Sequence, residues 1–222
     1  GLNVAYDRVA EIEQMALHNY SEALLFYRKS QAISQKLLAT DPQNTKLRRG
    51  VAVNFYNIAE VLEKLNENQE ALENSQKSLA IFIELLVADP KNEEFRQIVA
   101  AFETQVSGLL TKNGKPAEAI KKLEKSLEIL NKQIAESPQN EIINFRIGIV
   151  HANLGEAYFA LGSSQKSLTN LQIAKSNLQK SLTIYQDFLA NGSLVGEDAE
   201  RIPKVEQMLK KCEEEIEQLG GK

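Results

Sequence analysis

The sequence predicts an all-α fold, a solenoid of about four long helix hairpins closed by one further C-terminal helix. Three observations predict it. The 222 residues are 43% hydrophobic and 25% charged, with Gly and Pro sparse and helix-forming Leu, Ala, Glu, Lys and Gln abundant. Asp41–Pro42, Asp89–Pro90 and Ser137–Pro138 fall 48 residues apart, each with an Asn two residues on, at Asn44, Asn92 and Asn140. Between these marks the apolar residues advance in helical steps of three and four. A fixed period of this length is the mark of a repeat array, in which each unit hides its apolar edge only against its neighbours.

Other positions keep the same period. It links Ala23, Ala71 and Ala119, then Ser30, Ser78 and Ser126, then Ile33, Ile81 and Ile129. Small residues recur 17 beyond each Pro, at Ala59, Ser107 and Gly155. In the fourth unit Ser167 stands where Ala71 does, yet Lys180–Ser181 falls 55 after Lys125–Ser126, so seven added residues are expected after Ser167. The first unit fits least well. Glu11 falls at its small-residue position, Ala10 needs a one-residue slip, and a frayed or truncated N-terminal cap is expected.

The breaks are placed by residues that cannot continue a helix. Asn66, Gly114 and Gly162 sit where first helices end, because Gly and Asn tolerate left-handed backbone. Each Asp-Pro or Ser-Pro ends a second helix, since Pro disfavours helical backbone in the residue before it. Pro also suits the first turn of the helix that follows. The expected helix pairs are about 3–17 and 20–40, 44–65 and 68–88, 92–112 and 116–136, and 140–161 and 164–190. A loop from Asn191 through Val195 to Gly196 precedes a capping helix of about 197–219. The array is read as one domain over 1–222, with repeats of about 1–42, 43–90, 91–138 and 139–192.

Ala59, Ala71, Ser78 and Pro90, with Ser107, Ala119, Ser126 and Pro138, resemble the small-residue and closing-Pro pattern of the tetratricopeptide repeat. The resemblance covers nearly the whole chain. It implies a right-handed superhelical α-solenoid whose first helices line a concave, partner-binding face. One departure is that the usual repeat has 34 residues and these have 48. The extra residues fall as two sevens, and seven is close to two helical turns, so the packing face drifts by only about 20°. The segment Leu182 to Phe188, then Gly192 to Ala199 and Cys212, resembles the end of long-helix arrays in bacterial multidomain signalling proteins such as Ser/Thr protein kinases.

What the resemblance implies is a non-catalytic scaffold that binds a peptide or helical segment of a partner protein. Its groove positions map onto Val53, Tyr56, Glu60, Glu63 and Lys64, then Thr104 and Lys112, then Ala152, Glu156 and Phe159. Glu60, Glu63 and Glu156 favour a basic and apolar partner, with Tyr56 and Phe159 as apolar anchors. The alternatives are that these Glu are solvated and that the two rings cover neighbouring helices. Arg48, Arg49 and Arg96 either grip an anionic group or pair with Glu93, Glu94 or Glu141. The other functional reading is a regulatory or self-associating segment of a larger signalling enzyme, and either a monomer or a homodimer fits.

Several classes are disfavoured. The net charge of −4 and the absence of a basic stripe argue against nucleic acid. No apolar run reaches the ~20 residues of a membrane span, and a cytoplasmic place is expected, a parent's membrane anchor being compatible with it. His18 and His151 lie three repeats apart, and His151 sits on an apolar stripe as a packing histidine would. The lone Cys212 fits a small packing residue. Glu213 to Glu215 form an acidic run expected to be a solvated face. Neither metal-ligand spacing, nor a phosphate-binding Gly-rich loop, nor a nucleophile with its base stands in the sequence, so no enzyme and no cofactor are expected.

Overall fold

The structure is a computed structural model that describes residues 1–194 and 196–220. Its elements, in order, are α1 (Leu2–Met15), α2 (Tyr20–Thr40), α3 (Thr45–Lys64), α4 (Asn68–Ala88), α5 (Glu93–Lys112), α6 (Pro116–Glu136), α7 (Glu141–Gln165), α8 (Leu168–Ala190), a 3-10 turn (Gly196–Glu200) and α9 (Arg201–Gln218). No strand occurs among the described residues. Val195 of the expected loop lies outside them. The helices fall into two compact units, Gly1–Leu109 and Leu110 onward.

In the first unit α1 packs on α2, α2 on α3 and α3 on α4. Small side chains let the pairs approach. Ala10, Ala23, Ala52, Ala59, Ala71 and Ser78 are all fully buried. Ser78 Oγ donates to the Ala52 carbonyl across 2.7 Å, so its hydroxyl is satisfied inside the α3–α4 seam. Phe82 closes the far end, edge-on to Phe95 and Phe102 of α5 at 6.0 and 5.4 Å.

In the second unit α6 packs on α7, α7 on α8 and α8 on α9. The α7–α8 seam is set by three glycines seven residues apart. A methyl group on Gly155 would stand 2.5 Å from Leu178 Cγ, one on Gly162 2.9 Å from Leu171 Cγ, and one on Gly148 3.0 Å from Tyr185 Cε1. Leu171, Leu178 and Tyr185 are themselves seven apart and fully buried. The two series run in opposite directions, as antiparallel helices require when seven residues make nearly two turns. Each large side chain fills the space a missing Cβ leaves, and burying a Leu this way contributes roughly 1.5–3 kcal/mol.

The links are as regular as the seams. Asn44 N–H donates to the Asp41 carbonyl, Asn92 N–H to Asp89 and Asn140 N–H to Ser137. The Asn side chains then cap the next helix, accepting from Leu47, Phe95 and Ile143 N–H at 3.2, 3.0 and 3.1 Å. The prolines therefore stand in the turn before the cap. They are not in the first turn of the helix that follows, which starts at 45, 93 or 141.

Four sequence expectations need correcting. Asn66 and Gly114 do end their helices, with φ of 62° and 71°. Gly162 does not, because α7 runs on to Gln165 and Lys166 takes the left-handed position at φ 50°. The seven added residues thus divide, four before this turn and three after it. Ser167 is then the N-cap of α8, accepting from Asn170 N–H, and Leu171 takes the place of Ala71. In the first unit Ala10, not Glu11, is the buried small residue. The slip is absorbed in the α1–α2 turn, where Asn19 N–H reaches back six residues to the Glu13 carbonyl. The equivalent bond from Glu67 reaches back only five, to Leu62. The capping helix begins at Arg201, its expected first residues forming the 3-10 turn.

Gly155→Ala should lower the thermal midpoint, with a loss of about 1–3 kcal/mol from overpacking against Leu178. Gly50→Ala should raise it, because Gly50 is helical and has nothing within 4 Å of its Cβ position; the gain is up to about 1 kcal/mol in helix propensity. Equal behaviour of the two variants would refute the glycine seam.

Candidate functional site

The predicted groove residues divide between the two units. In the first, α3 presents Val53, Tyr56, Glu60, Glu63 and Lys64 along one side. Val53 and Lys64 are exposed, while Tyr56, Glu60 and Glu63 are half-buried. Tyr56 stacks on Phe102 with ring centroids 4.4 Å apart and planes 8° from parallel. Its hydroxyl donates to Glu60 Oε1 at 2.7 Å. Tyr56 is therefore both surface and packing. Thr104 on α5 is half-buried and turns its hydroxyl to the Ala100 carbonyl at 3.0 Å.

The acidic character around Tyr56 exceeds what the sequence suggested. Tyr27 of α2 is buried beside α1 and donates to Gln14 Oε1 at 3.1 Å. Burial pushes its phenol well above the ordinary range, and the charges of Glu11, Glu60 and Asp7 push it further. Burial does the same to Tyr56, followed by the charge and hydrogen bond of Glu60 and the charge of Glu63. Four carboxylates thus act on two neighbouring phenols. Asp7 also accepts from Asn54 Nδ2 at 2.9 Å, and burial raises its carboxyl above the usual range.

Sequence reasoning missed Asp7 and Glu11, and only for Glu11 does the repeat register carry a signal. With Ala10 matched to Ala59, a shift of 49, Glu11 occupies the position of Glu60. Glu156 holds that same position 96 residues beyond Glu60.

In the second unit Lys112 is exposed at the end of α5. Ala152, Glu156 and Phe159 lie half-buried on α7. Ala152 and Phe159 pack against the cluster built from Leu171, Leu178, Val205 and Cys212, so Phe159 helps cover the neighbouring helices. Tyr158 donates to Glu124 Oε1 of α6 at 2.7 Å, and partial burial with that carboxylate pushes its phenol up to about 12.

The basic residues are mostly engaged. Arg49 pairs with Glu94, and Arg96 with Glu93 at 2.8 Å, as the sequence suggested. Arg48 pairs instead with Glu84 of α4. The run Glu213 to Glu215 is not merely a solvated face. Glu213 pairs with Lys175 at 2.9 Å and Glu215 accepts from Ser163 Oγ at 2.5 Å, tying α9 to α8 and α7.

Groups able to do chemistry are used for packing. Cys212 is fully buried, its thiol donates to the Leu171 carbonyl at 3.1 Å, and burial pushes it up to about 11. His151 is buried with Nδ1 2.8 Å from Asn177 Oδ1. Asn177 Nδ2 donates to the Ile173 carbonyl, so its Oδ1 accepts and His151 carries its proton on Nδ1. Among the described residues no three His, Cys, Asp or Glu side chains are grouped to hold a metal. A polar cleft of about 170 Å³ lies between the α6–α7 link and the end of α8, lined by Asn140, Asn144, Asp187 and Ser193 among others. It is smaller than the roughly 300–1,000 Å³ of ordinary small-molecule sites.

His151 makes stability depend on pH. Burial lowers its folded pKa below the ordinary 6.5. The unfolded chain then takes up a proton that the folded chain refuses. Stability should be unaffected above about pH 6.5 and should fall as pH drops from there through the folded pKa. Urea midpoints measured across that window should fall less for His151→Gln; identical slopes would remove His151 as the cause.

Residues 144–188 match a family model described as tetratricopeptide repeat. No curated protein matches the chain. Two crystal structures of nearly identical TPR-like repeats from a putative kinesin light chain of Podosopora anserina resemble it at 17% identity. One has a TM-score of 0.52 and covers 95% of this chain and 92% of that one. The other has a TM-score of 0.51, covering 94% and 93%. A TPR protein of Thermus thermophilus aligns at 16% identity over 95% of this chain and 98% of that one, with a TM-score of 0.38. The first two agree with the fold described above, an all-helical array of hairpins.

Proposed function

We propose that this chain is a non-catalytic protein-interaction scaffold whose first helices receive a partner segment carrying basic and apolar side chains. The tetratricopeptide match supports the general class, since such repeats mediate protein–protein contacts. The observation that carries the finer reading is the acidic field in the first unit, where Glu11, Glu60 and Asp7 bear on Tyr27, and Glu60 and Glu63 on Tyr56, whose hydroxyl donates to Glu60. A Lys or Arg entering there gains opposite charge, while an apolar neighbour can rest against Val53, which is 38% exposed. Charges at a rim govern encounter rate and specificity more than final affinity, so this surface selects partners by their charge.

In the second unit the proposed contacts are Ala152, Glu156 and Phe159 on α7. They repeat the Glu position of α3 with a larger apolar share. On α5 the proposed contacts are Thr104 for the first unit and Lys112 for the second.

No described helix is long and apolar enough to cross a membrane. A reducing, cytoplasmic setting suits the single buried thiol.

Peptides selected from a random library on the full chain should place Lys or Arg among apolar residues. Their binding should weaken as salt rises toward about 0.5 M, where the Debye length falls to a few Å. Glu60→Lys with Glu63→Lys should cost about tenfold in affinity, or about 1.4 kcal/mol, with the helical circular-dichroism signal intact. Selection of acidic peptides, or affinity indifferent to the double substitution, would refute the acidic surface as the docking face.

A further inference from the structure

Helices α3 and α7 each bury two stripes. On α3, Ala52 and Ala59 face α4, as the bond from Ser78 to the Ala52 carbonyl shows. The second stripe is Val51, Asn54, Ile58 and Val61. It faces α2, because Asn54 Nδ2 donates to Ser30 Oγ at 3.2 Å. These four residues are 3%, 3%, 1% and 0% exposed. On α7 the equivalents, 96 residues on, are Ile147, Val150, Leu154 and Ala157, at 7%, 1%, 2% and 0%. Helix α7 packs on α6 as α3 packs on α2.

On α1 the register set by Ala10 and Ala59 puts Leu2, Ala5, Val9 and Ile12 at these positions. They keep the apolar pattern, yet Leu2, Val9 and Ile12 are 61%, 37% and 57% exposed. Ala5 is exposed as well, and Met15 and Leu17 extend the surface at 72% and 61%. Helix α9 behaves differently. It buries Val205, Cys212 and Ile216 and turns Lys204, Glu206, Lys210, Lys211 and Glu214 to solvent. A polar outer face of that kind is what ends a solenoid. Helix α1 has instead the stripe that α3 and α7 hide under the preceding second helix.

We propose that the outer stripe of α1 is an interaction surface for the second helix of another hairpin of this repeat type, seated as α2 sits on α3 and α6 on α7. The occupant follows from continuity with those two interfaces. The same residue pattern at the same register positions presents the same surface to be covered. The stripe is separate from the acidic face proposed above, so either can fail without the other.

The test joins a copy of residues 45–98 directly to Leu2 of the full chain. Val99 and Leu2 hold the same register position, so the copied start of α5 runs into α1 unbroken. The extended chain should melt in one transition, with its midpoint raised by about 5 °C. Amide exchange over residues 2–12 should slow by about tenfold or more. Val9→Glu with Ile12→Glu should abolish both gains in the extended chain while leaving the unextended chain's midpoint nearly unchanged, since these side chains are exposed there. An added segment that trypsin removes at the rate of an unfolded tail, with the midpoint unmoved, would overturn the proposal. A concentration-dependent dimer of the unextended chain, lost in the same double variant, would give the stripe to a second copy and also overturn it.

Discussion

How closely two paired helices approach depends on what stands at seven-residue intervals along their seam. Where α7 meets α8 the interval carries Gly148, Gly155 and Gly162 on one side and Tyr185, Leu178 and Leu171 on the other. Where α3 meets α4 it carries Ala52 and Ala59 on one side and Ala71 and Ser78 on the other, all fully buried, with Ser78 bonded to the Ala52 carbonyl. Close approach forces the helices to stay nearly antiparallel over their full length, because a side chain any larger would push one end apart. The seven-residue interval also explains why 48-residue units keep one packing scheme: adding residues in sevens returns the same face to the seam.

Much of this was legible because it is local. The Asp-Pro and Ser-Pro marks declared the links, and the structure adds a cap to each, since Asn44, Asn92 and Asn140 also hold the first turn of the next helix. Asn66 and Gly114 announced their turns through backbone tolerance. The errors arose where one residue type can serve two ends. Gly162 reads as a helix stop, but a glycine is also what a tight seam requires, and the seam took it. Lys166 then adopts left-handed backbone although its side chain gives no hint of it, since the added turn of α7 leaves the break four residues later. The one-residue offset of the first unit hid Glu11 behind the wrong equivalence until the burial of Ala10 fixed the register.

The candidate site was legible as a set of positions and less so as an environment. The repeat pattern could point to Tyr56, but not to the ring of Phe102 lying flat against it. Nor could it show that Asp7 and Glu11 share a field with Glu60, since they lie far away in sequence. Conversely, Arg48, Arg49 and Arg96 stood out as possible anion grips, and each proves to be matched by a glutamate within its own unit. The field that acts on Tyr27 and Tyr56 is negative, and on the reading proposed above its sign is what gives the surface selectivity.

Within each unit the main helix contacts join elements adjacent in the chain. That has a kinetic meaning. Structure built from near neighbours has little loop-closure entropy to overcome before its contacts form, so folding is fast and can nucleate at more than one hairpin. During synthesis a hairpin can bury its apolar edge as soon as the next helix leaves the ribosome. The exposed period of each stretch is then only as long as the translation of a few dozen codons, which leaves little time for aggregation.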